Sequence, residues 1–325
     1  MKLARRRFAA ALALPCVAHF STASAQGFPD RPIRLVVGYA TGTAPDVLAR
    51  LFAQRMAEQL KQQVVVDNKP GAGGQIAAQT VAKAPADGHT LLLGEVGSIS
   101  IAPAAFSRLT YDPAREFAGI SEVARVDFLL AVPANAPYQS VAEFVRAMKS
   151  RPEKVNFGTF GAGTSGHFGA ELFGEAADFK VEPIHYRATG DAVAAIIAGD
   201  VAGAFVSTAL GVAQIKGGKM RALATTAPQR SPLLPQVPTF AEAGFARIDI
   251  SAWFALMAPQ ATPASILDRL NHEAVAAVQA SDTRARLIEA GFSVFGTGRA
   301  DTERMLKSEA SRWATVVKAS GFRAD

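Results

Sequence analysis

The chain has 325 residues, 49% of them hydrophobic, with a formal net charge of +6 and one cysteine. That length suffices for two domains held by apolar burial, and a lone cysteine excludes a disulfide framework or a cysteine-ligated metal. Lys2, Arg5, Arg6 and Arg7 supply four of the six net positive charges, so residues beyond 25 carry only +2; with no run of five like charges and no basic cluster interleaved with aromatics, nucleic acid is not an expected partner.

Residues 1–25 read as an export signal: the basic start, an apolar stretch over 8–18, and Ala23-Ser24-Ala25 as the small-x-small cleavage pattern, with cleavage after Ala25. The apolar stretch is far shorter than the roughly 20 residues a membrane-spanning helix needs. Arg5-Arg6-Arg7-Phe8 fits a twin-arginine signal as well as a Sec one, with Sec favoured. Cys16 sits inside this segment, in a poor lipoprotein context, so the mature chain has no thiol.

From residue 32 the chain repeats an apolar run, a glycine-containing loop and a helix-period segment. Strands are expected at 32–38, 64–67 and 90–94, with helices at 46–60 and 74–83 between them. Ile33, Leu35, Val36 and Val37, and Leu91 to Leu93, are apolar on consecutive positions, so both faces of those strands need covering. Val47, Leu48, Leu51, Phe52 and Met56 share one face of the first helix. Such alternation predicts an α/β fold with parallel sheets and helices on both faces.

A second series gives strands at 128–132, 154–158, 181–186, 202–206 and 220–225. Its helices fall at 140–149, opened by Ser140 and Glu143 as a capping pair, and at 164–177, 191–198 and 210–216. Three prolines between 231 and 238 suit a segment crossing between domains. A strand at 248–258, a helix at 263–280 capped by Thr262 and a helix at 301–319 complete the chain. This tail is too short and too helical for a third domain, so it is expected to pack on the first. The expected division is domain 1 over 26–125 plus 251–325 and domain 2 over 126–250, two doubly wound units joined by a two-crossing hinge.

Two glycine loops carry the expected chemistry. Gly38-Tyr39-Ala40-Thr41-Gly42-Thr43-Ala44-Pro45-Asp46 joins a strand to a helix, with Thr43 and Asp46 spaced as a capping box. Thr159-Phe160-Gly161-Ala162-Gly163-Thr164-Ser165-Gly166-His167 does the same in the second series, with Thr164 as cap. Glycine lets amides converge and a helix start leaves several unpaired, so each loop is a natural anion seat. Loops at the carboxyl ends of parallel strands are also where open α/β sheets bind ligands.

Rival chemistries fare worse. Gly161-x-Gly163-x-x-Gly166 could be a dinucleotide fingerprint, but Thr159-Phe160 intervenes after the strand and His185-Tyr186 stands where a ribose-binding acid belongs. There is no Gly-x-Ser-x-Gly elbow, and Ser165 beside His167 lacks an acid to orient the imidazole. His89, His167, His185 and His272 show no metal-ligand spacing. No catalytic residue, cofactor or metal is therefore expected.

The segments Phe28-Pro29-Asp30-Arg31-Pro32, Asp67-Asn68-Lys69-Pro70-Gly71-Ala72-Gly73-Gly74 and Asp87-Gly88-His89-Thr90 resemble the Bug family of tripartite tricarboxylate transporter receptors. Tyr111-Asp112-Pro113, Gly161-x-Gly163-Thr164-x-x-His167, Lys216-Gly217-Gly218-Lys219, Pro238-Thr239-Phe240 and Trp253-Phe254 extend the resemblance in the same order to the C-terminus. It implies a periplasmic binding protein (Venus-flytrap) fold, not an enzyme, holding a small organic acid for the membrane components of such a transporter and acting as a monomer. It further implies a ligand site of Tyr39, Ala40, Gly42, Thr43 and Asp46 on the first loop and Thr159, Gly161, Gly163, Thr164 and His167 on the second. Gly97, Ser98, Trp253 and Phe254 would complete the wall. A signalling partner in place of a transporter, or an exported enzyme using one loop for a cofactor or oxyanion, are the alternatives.

This chain departs from the family pattern in three places. Gly42-Thr43 replaces two adjacent glycines, and Ala202 and Val206 stand where acids are frequent, which argues against an amino acid ligand. Glu95 replaces a small residue, and the sequence leaves its role open.

Overall fold

The structure, a computed structural model, describes residues 27–324 apart from 152 and 187, so the export signal, its cleavage point and Cys16 lie outside the described residues. The strands β1 (Ile33–Val37), β2 (Val64–Asn68) and β3 (Thr90–Glu95) run parallel in the order β2-β1-β3. They are joined by α1 (Ala44–Leu60) and α2 (Gln75–Ala82), the latter entered through a single tight turn at Ala72–Gly74. Leu35, Val36 and Val37 are fully buried, as consecutive apolar residues on a doubly covered strand must be. On α1 the buried stripe is Leu48, Phe52, Met56 and Leu60 with Ala49 and Ala53, the four-residue spacing of a core face; Val47, expected there, is exposed.

After β3 a wide helical turn (Gly97–Ile101) runs into α3 (Ala102–Ala105), and α4 (Pro113–Glu116) leads into β4 (Phe117–Pro133). The sequence pattern marks only the last third of this 17-residue strand. Then follow α5 (Val141–Lys149), β5 (Val155–Thr159), α6 (Ser165–Ala177), β6 (Val181–His185), α7 (Thr189–Ala198), β7 (Gly203–Ser207), α8 (Thr208–Lys216) and β8 (Met220–Thr225). The tail contributes β9 (Ser251–Pro259), α9 (Ala264–Gln279), α10 (Ser281–Glu289), β10 (Ser293–Val294) and α11 (Arg299–Ser320).

The sheet order is β2-β1-β3-β9-β4-β7-β5-β6, with β8 and β10 also paired to β4. It is mixed where parallel sheets were expected: β9 runs antiparallel to both β3 and β4, and β4 antiparallel to β7 and β8. A strand that returns between two series of βα units has to run against them, and nothing in its composition records the direction. The partner of β4 changes along its length. Through Asp127 it pairs with β9, and from Phe128 onward it lies between β7 and β8. Thr226, just after β8, accepts from the Phe128 amide at 2.8 Å and donates to the Ile250 carbonyl at 2.6 Å, tying the two passages of the chain together at this point.

In the tail, α9 lies on α1 and β4, while α11 covers β4, the 97–101 turn and α3 and reaches α6. The second series is built around Phe144, Phe157, Phe173 and Phe205, whose rings meet one another in five pairs at 5.9 to 6.5 Å between centroids. Thr262 does not cap α9. The cap position falls on Pro263, and the Thr262 hydroxyl is buried with no hydrogen-bond partner among the described residues.

Candidate functional site

The first loop is held from below by Asp46. Its carboxylate is buried and accepts from the Gly42 amide (2.9 Å), Arg50 Nε (2.9 Å) and Asn68 Nδ2 (2.9 Å). Burial alone would raise its pKa, but the bonds from Arg50, Gly42 and Asn68 prevail and hold it below the usual carboxylate range. The expected capping box is therefore not formed. Thr43 is the N-cap by backbone geometry, yet its hydroxyl donates to the Ala40 carbonyl at 2.7 Å, and Asp46 reaches one residue further back, to Gly42. The reason is Asn68: by bonding both Asp46 and the Tyr39 carbonyl (2.9 Å), it draws the carboxylate under the loop. Asn68, the last residue of β2 before the turn that ends at Gly74, is a residue sequence reasoning did not assign to the site. Gly38 lets that turn close in, since a Cβ there would lie 2.6 Å from Gly74 Cα.

Tyr39 points the other way. Its hydroxyl donates to Glu95 Oε2 at 2.7 Å, and the same oxygen accepts from the Gly97 amide at 3.0 Å. Ser98 donates to the Glu95 carbonyl (3.2 Å), and Tyr111 to the Ser98 carbonyl (2.6 Å). Glu95, left open by the sequence, is thus buried and anchors the first loop to the turn after β3. Burial raises its carboxyl to about 7 against the lowering effect of Tyr39, Gly97 and Ser98, and burial with the nearby Glu95 pushes the Tyr39 phenol up.

In the second loop Thr164 caps α6 as expected, accepting from the His167 amide at 3.4 Å and donating to the Gly161 carbonyl at 2.9 Å. His167 Nδ1 accepts from the Gly163 amide at 3.1 Å. This fixes a neutral imidazole with its proton on Nε2, and burial followed by the adjacent His185 depresses the pKa to about 4. Thr159 Oγ1 lies 2.7 Å from His185 Nδ1, which brings His185 into the loop's support. The amides of Gly42, Thr43, Gly163 and His167 are consequently satisfied within their own loops. By helix geometry, the starts of α1 and α6 leave Ala44 and Asp46, and Ser165 and Gly166, without intrahelical acceptors.

Both loops approach the segment 97–106. The first does so through Tyr39, Glu95 and Gly97. The second does so at Gly163, where a Cβ would lie 4.0 Å from the Phe106 ring and 3.8 Å from that of Phe322. Phe322 also packs edge-on to His167, with centroids 4.8 Å apart. The buried polar atoms with no hydrogen-bond partner among the described residues include Ser165 Oγ at the start of α6, Ser100 Oγ on the 97–101 turn and Trp253 Nε1 on β9. Trp253 lies on β9 opposite Arg125, fully buried, and Phe254 packs against Phe292 at 6.0 Å. Two grooves open elsewhere, about 710 Å³ beside α5 and β8 and about 250 Å³ beside Asp127 and Arg230, and neither is lined by a residue of either loop. Among the described residues no group of three or more His, Cys, Asp or Glu could hold a metal ion, and no helix is long and apolar enough to cross a membrane.

Two series of βα units sharing one long strand and joined by two adjacent passages, each offering a glycine loop at a helix start, define a solute-binding protein of the Venus-flytrap type. Comparison with known proteins agrees. The family model described as Tripartite tricarboxylate transporter family receptor matches residues 48–322, and the chain belongs to that family. The protein BugT of Bordetella pertussis is 31% identical over 92% of this chain and 92% of its own length. Among solved structures, Rpa4515 of R. palustris with adipate is 32% identical, covering 91% of this chain and 99% of the other, with a TM-score of 0.84. MatC from Rhodopseudomonas palustris with bound malate is 32% identical over 89% of this chain and 100% of the other, with a TM-score of 0.80.

Proposed function

We propose that this chain is an exported, periplasmic receptor without enzymatic activity, which holds a small organic carboxylate between the two loops and hands it to the membrane components of a tripartite tricarboxylate-type transporter. The observation that carries the reading is the approach of both loops to one segment, 97–106, from opposite series of the fold. The lobes would be 26–125 plus 251–325 and 126–250. The change of partner along β4 at Asp127 and Phe128, and the Thr226 link to Ile250, support a boundary at those two passages.

The guest would be gripped by the amides that remain open at the two helix starts, with help from the Ser165 hydroxyl and the Trp253 indole. Asp46 and His167 act indirectly, by fixing the Gly42 and Gly163 amides and so the shape of each loop. Hydrogen bonds to an ionised group contribute about 1.5 to 3 kcal/mol each, so four reach about the −8 kcal/mol of micromolar binding. That similar structures hold adipate and malate supports an organic acid as the guest. Ala202 and Val206 offer no acid for an amino group, which favours a plain acid over an amino acid.

Thermal shift against a panel of mono- and dicarboxylates that includes adipate and malate tests this. A ligand at one hundred times its dissociation constant adds about 2.7 kcal/mol, so at least one acid should raise the melting temperature clearly. The response should vanish in Gly163→Val, whose side chain would be forced into left-handed backbone (φ 72°) against Phe106 and Phe322. A folded protein that no acid stabilises would sink the receptor reading. Full affinity in Gly163→Val would sink the placement of the site.

A further inference from the structure

Glu95 is a buried acid beside the proposed anion seat, and carboxylate recognition by the loops does not by itself call for one. Its hydrogen bonds tie it to Tyr39 and Gly97, two residues of the expected ligand site. Oε2 takes the Tyr39 hydroxyl at 2.7 Å and the Gly97 amide at 3.0 Å, so while Glu95 is ionised the phenol proton is committed to it and Tyr39 has only lone pairs to offer a guest. Lone pairs and a buried negative charge both repel a carboxylate.

We propose that carboxylate capture at the first loop is coupled to uptake of one proton by Glu95. The neutral carboxyl then donates to Tyr39 Oη, the hydrogen bond reverses its direction, and the released phenol O–H donates to the incoming carboxylate. One proton from solvent forms the O–H bond of the Glu95 carboxyl, no other bond is made or broken, and the pair is net neutral when the guest arrives. The inference rests on the receptor reading. Three observations support it. Glu95 is 9% exposed, which disfavours its charged form. Its carboxyl is already raised to about 7 without a guest, so the neutral form is accessible near neutrality. The phenol of Tyr39 is raised and keeps its proton throughout, so it is a donor waiting for an acceptor. The titratable side chains that face Glu95 are Tyr39 on the first loop and Tyr111 beyond α3, both neutral, while its register partner on β9, Phe254, brings no charge.

The test measures affinity for adipate, malate and the rest of the acid panel by calorimetry from pH 5.5 to 8.5. For an acid that binds, the dissociation constant should be level below about pH 6.5 and rise up to tenfold per pH unit above 7, with close to one proton taken up per ligand at pH 8. Glu95→Gln, which has no proton to titrate, should bind with a level profile, and Tyr39→Phe, which has no phenol O–H to release, should bind weakly at every pH. A level profile in the native protein, or a slope kept by Glu95→Gln, overturns the coupling while the receptor reading stands. Failure of every acid to bind at pH 6 overturns the receptor reading and the coupling with it. A carboxyl-carbon NMR titration of the unliganded protein needs no ligand: with the signal assigned through Glu95→Gln, a midpoint near 7 supports the pair and one near 4.5 overturns it.

Discussion

His167 keeps its imidazole neutral because burial, and then His185, disfavour the cation down to about 4. A histidine depressed in this way gives stability that is fully present above its unfolded value of about 6.5 and lost as pH falls through 4, about 3 kcal/mol in all. Glu95 has the opposite sense. Its carboxyl is raised by burial to about 7, so the stability of the neutral form is complete below about 4.5 and lost as pH rises through 7, again about 3 kcal/mol. Between pH 4.5 and 6.5 the two contributions oppose each other. Urea unfolding of the native protein, His167→Gln and Glu95→Gln across that window should separate them. Relative to the native protein, His167→Gln should gain stability as pH falls, and Glu95→Gln should gain it as pH rises. Variant-to-native differences that do not move with pH would show that neither group is buried as described.

Asp46 belongs to the scale of the element, because its carboxylate joins a loop, the start of a helix and a neighbouring strand through Gly42, Arg50 and Asn68. Asp46→Ala strips the acceptor from a backbone amide and a side-chain amide at once, and should cost about 2 to 4 kcal/mol. Thermal melting would register the loss, and faster hydrogen exchange at the Gly42 amide would locate it in the loop. The part of this arrangement legible in the sequence was the local part. Consecutive apolar residues in β1 and β3, the four-residue stripe on α1 and the Thr164 cap follow from periodicity and neighbouring residues. Partnerships across long stretches of chain were not legible: Asn68 under Tyr39, Glu95 against Tyr39, and Phe322 over His167 join residues 29, 56 and 155 positions apart. The first part of β4 also escaped, because Ser121, Glu122, Arg125 and Asp127 interrupt its apolar run. Ser121 and Glu122 are nevertheless buried, and Glu122 is paired with Arg125.

For the molecule as a whole, the working movement of a two-lobed receptor is closure about the passages between lobes, and here both passages meet at Thr226. Its hydroxyl serves the first passage by accepting from the Phe128 amide and the second by donating to the Ile250 carbonyl, while its own amide donates to the Phe128 carbonyl at 2.8 Å. Thr226 is 4% exposed, so water cannot readily replace either bond. Thr226→Val keeps the shape and removes both, leaving a buried donor on one passage and a buried acceptor on the other. The cost should be about 1 to 3 kcal/mol, read as a lower melting temperature in the absence of ligand. The effect on closure follows from where the bonds are. With the passages no longer tied, the angle between the proposed lobes is less tightly fixed, and more of the binding free energy goes into ordering them. X-ray scattering should therefore show unliganded Thr226→Val with a larger radius of gyration than the native protein, both contracting to the same value with a saturating acid from the panel, and the variant binding more weakly. A variant that melts like the native protein and contracts by the same amount would place the pivot away from Thr226.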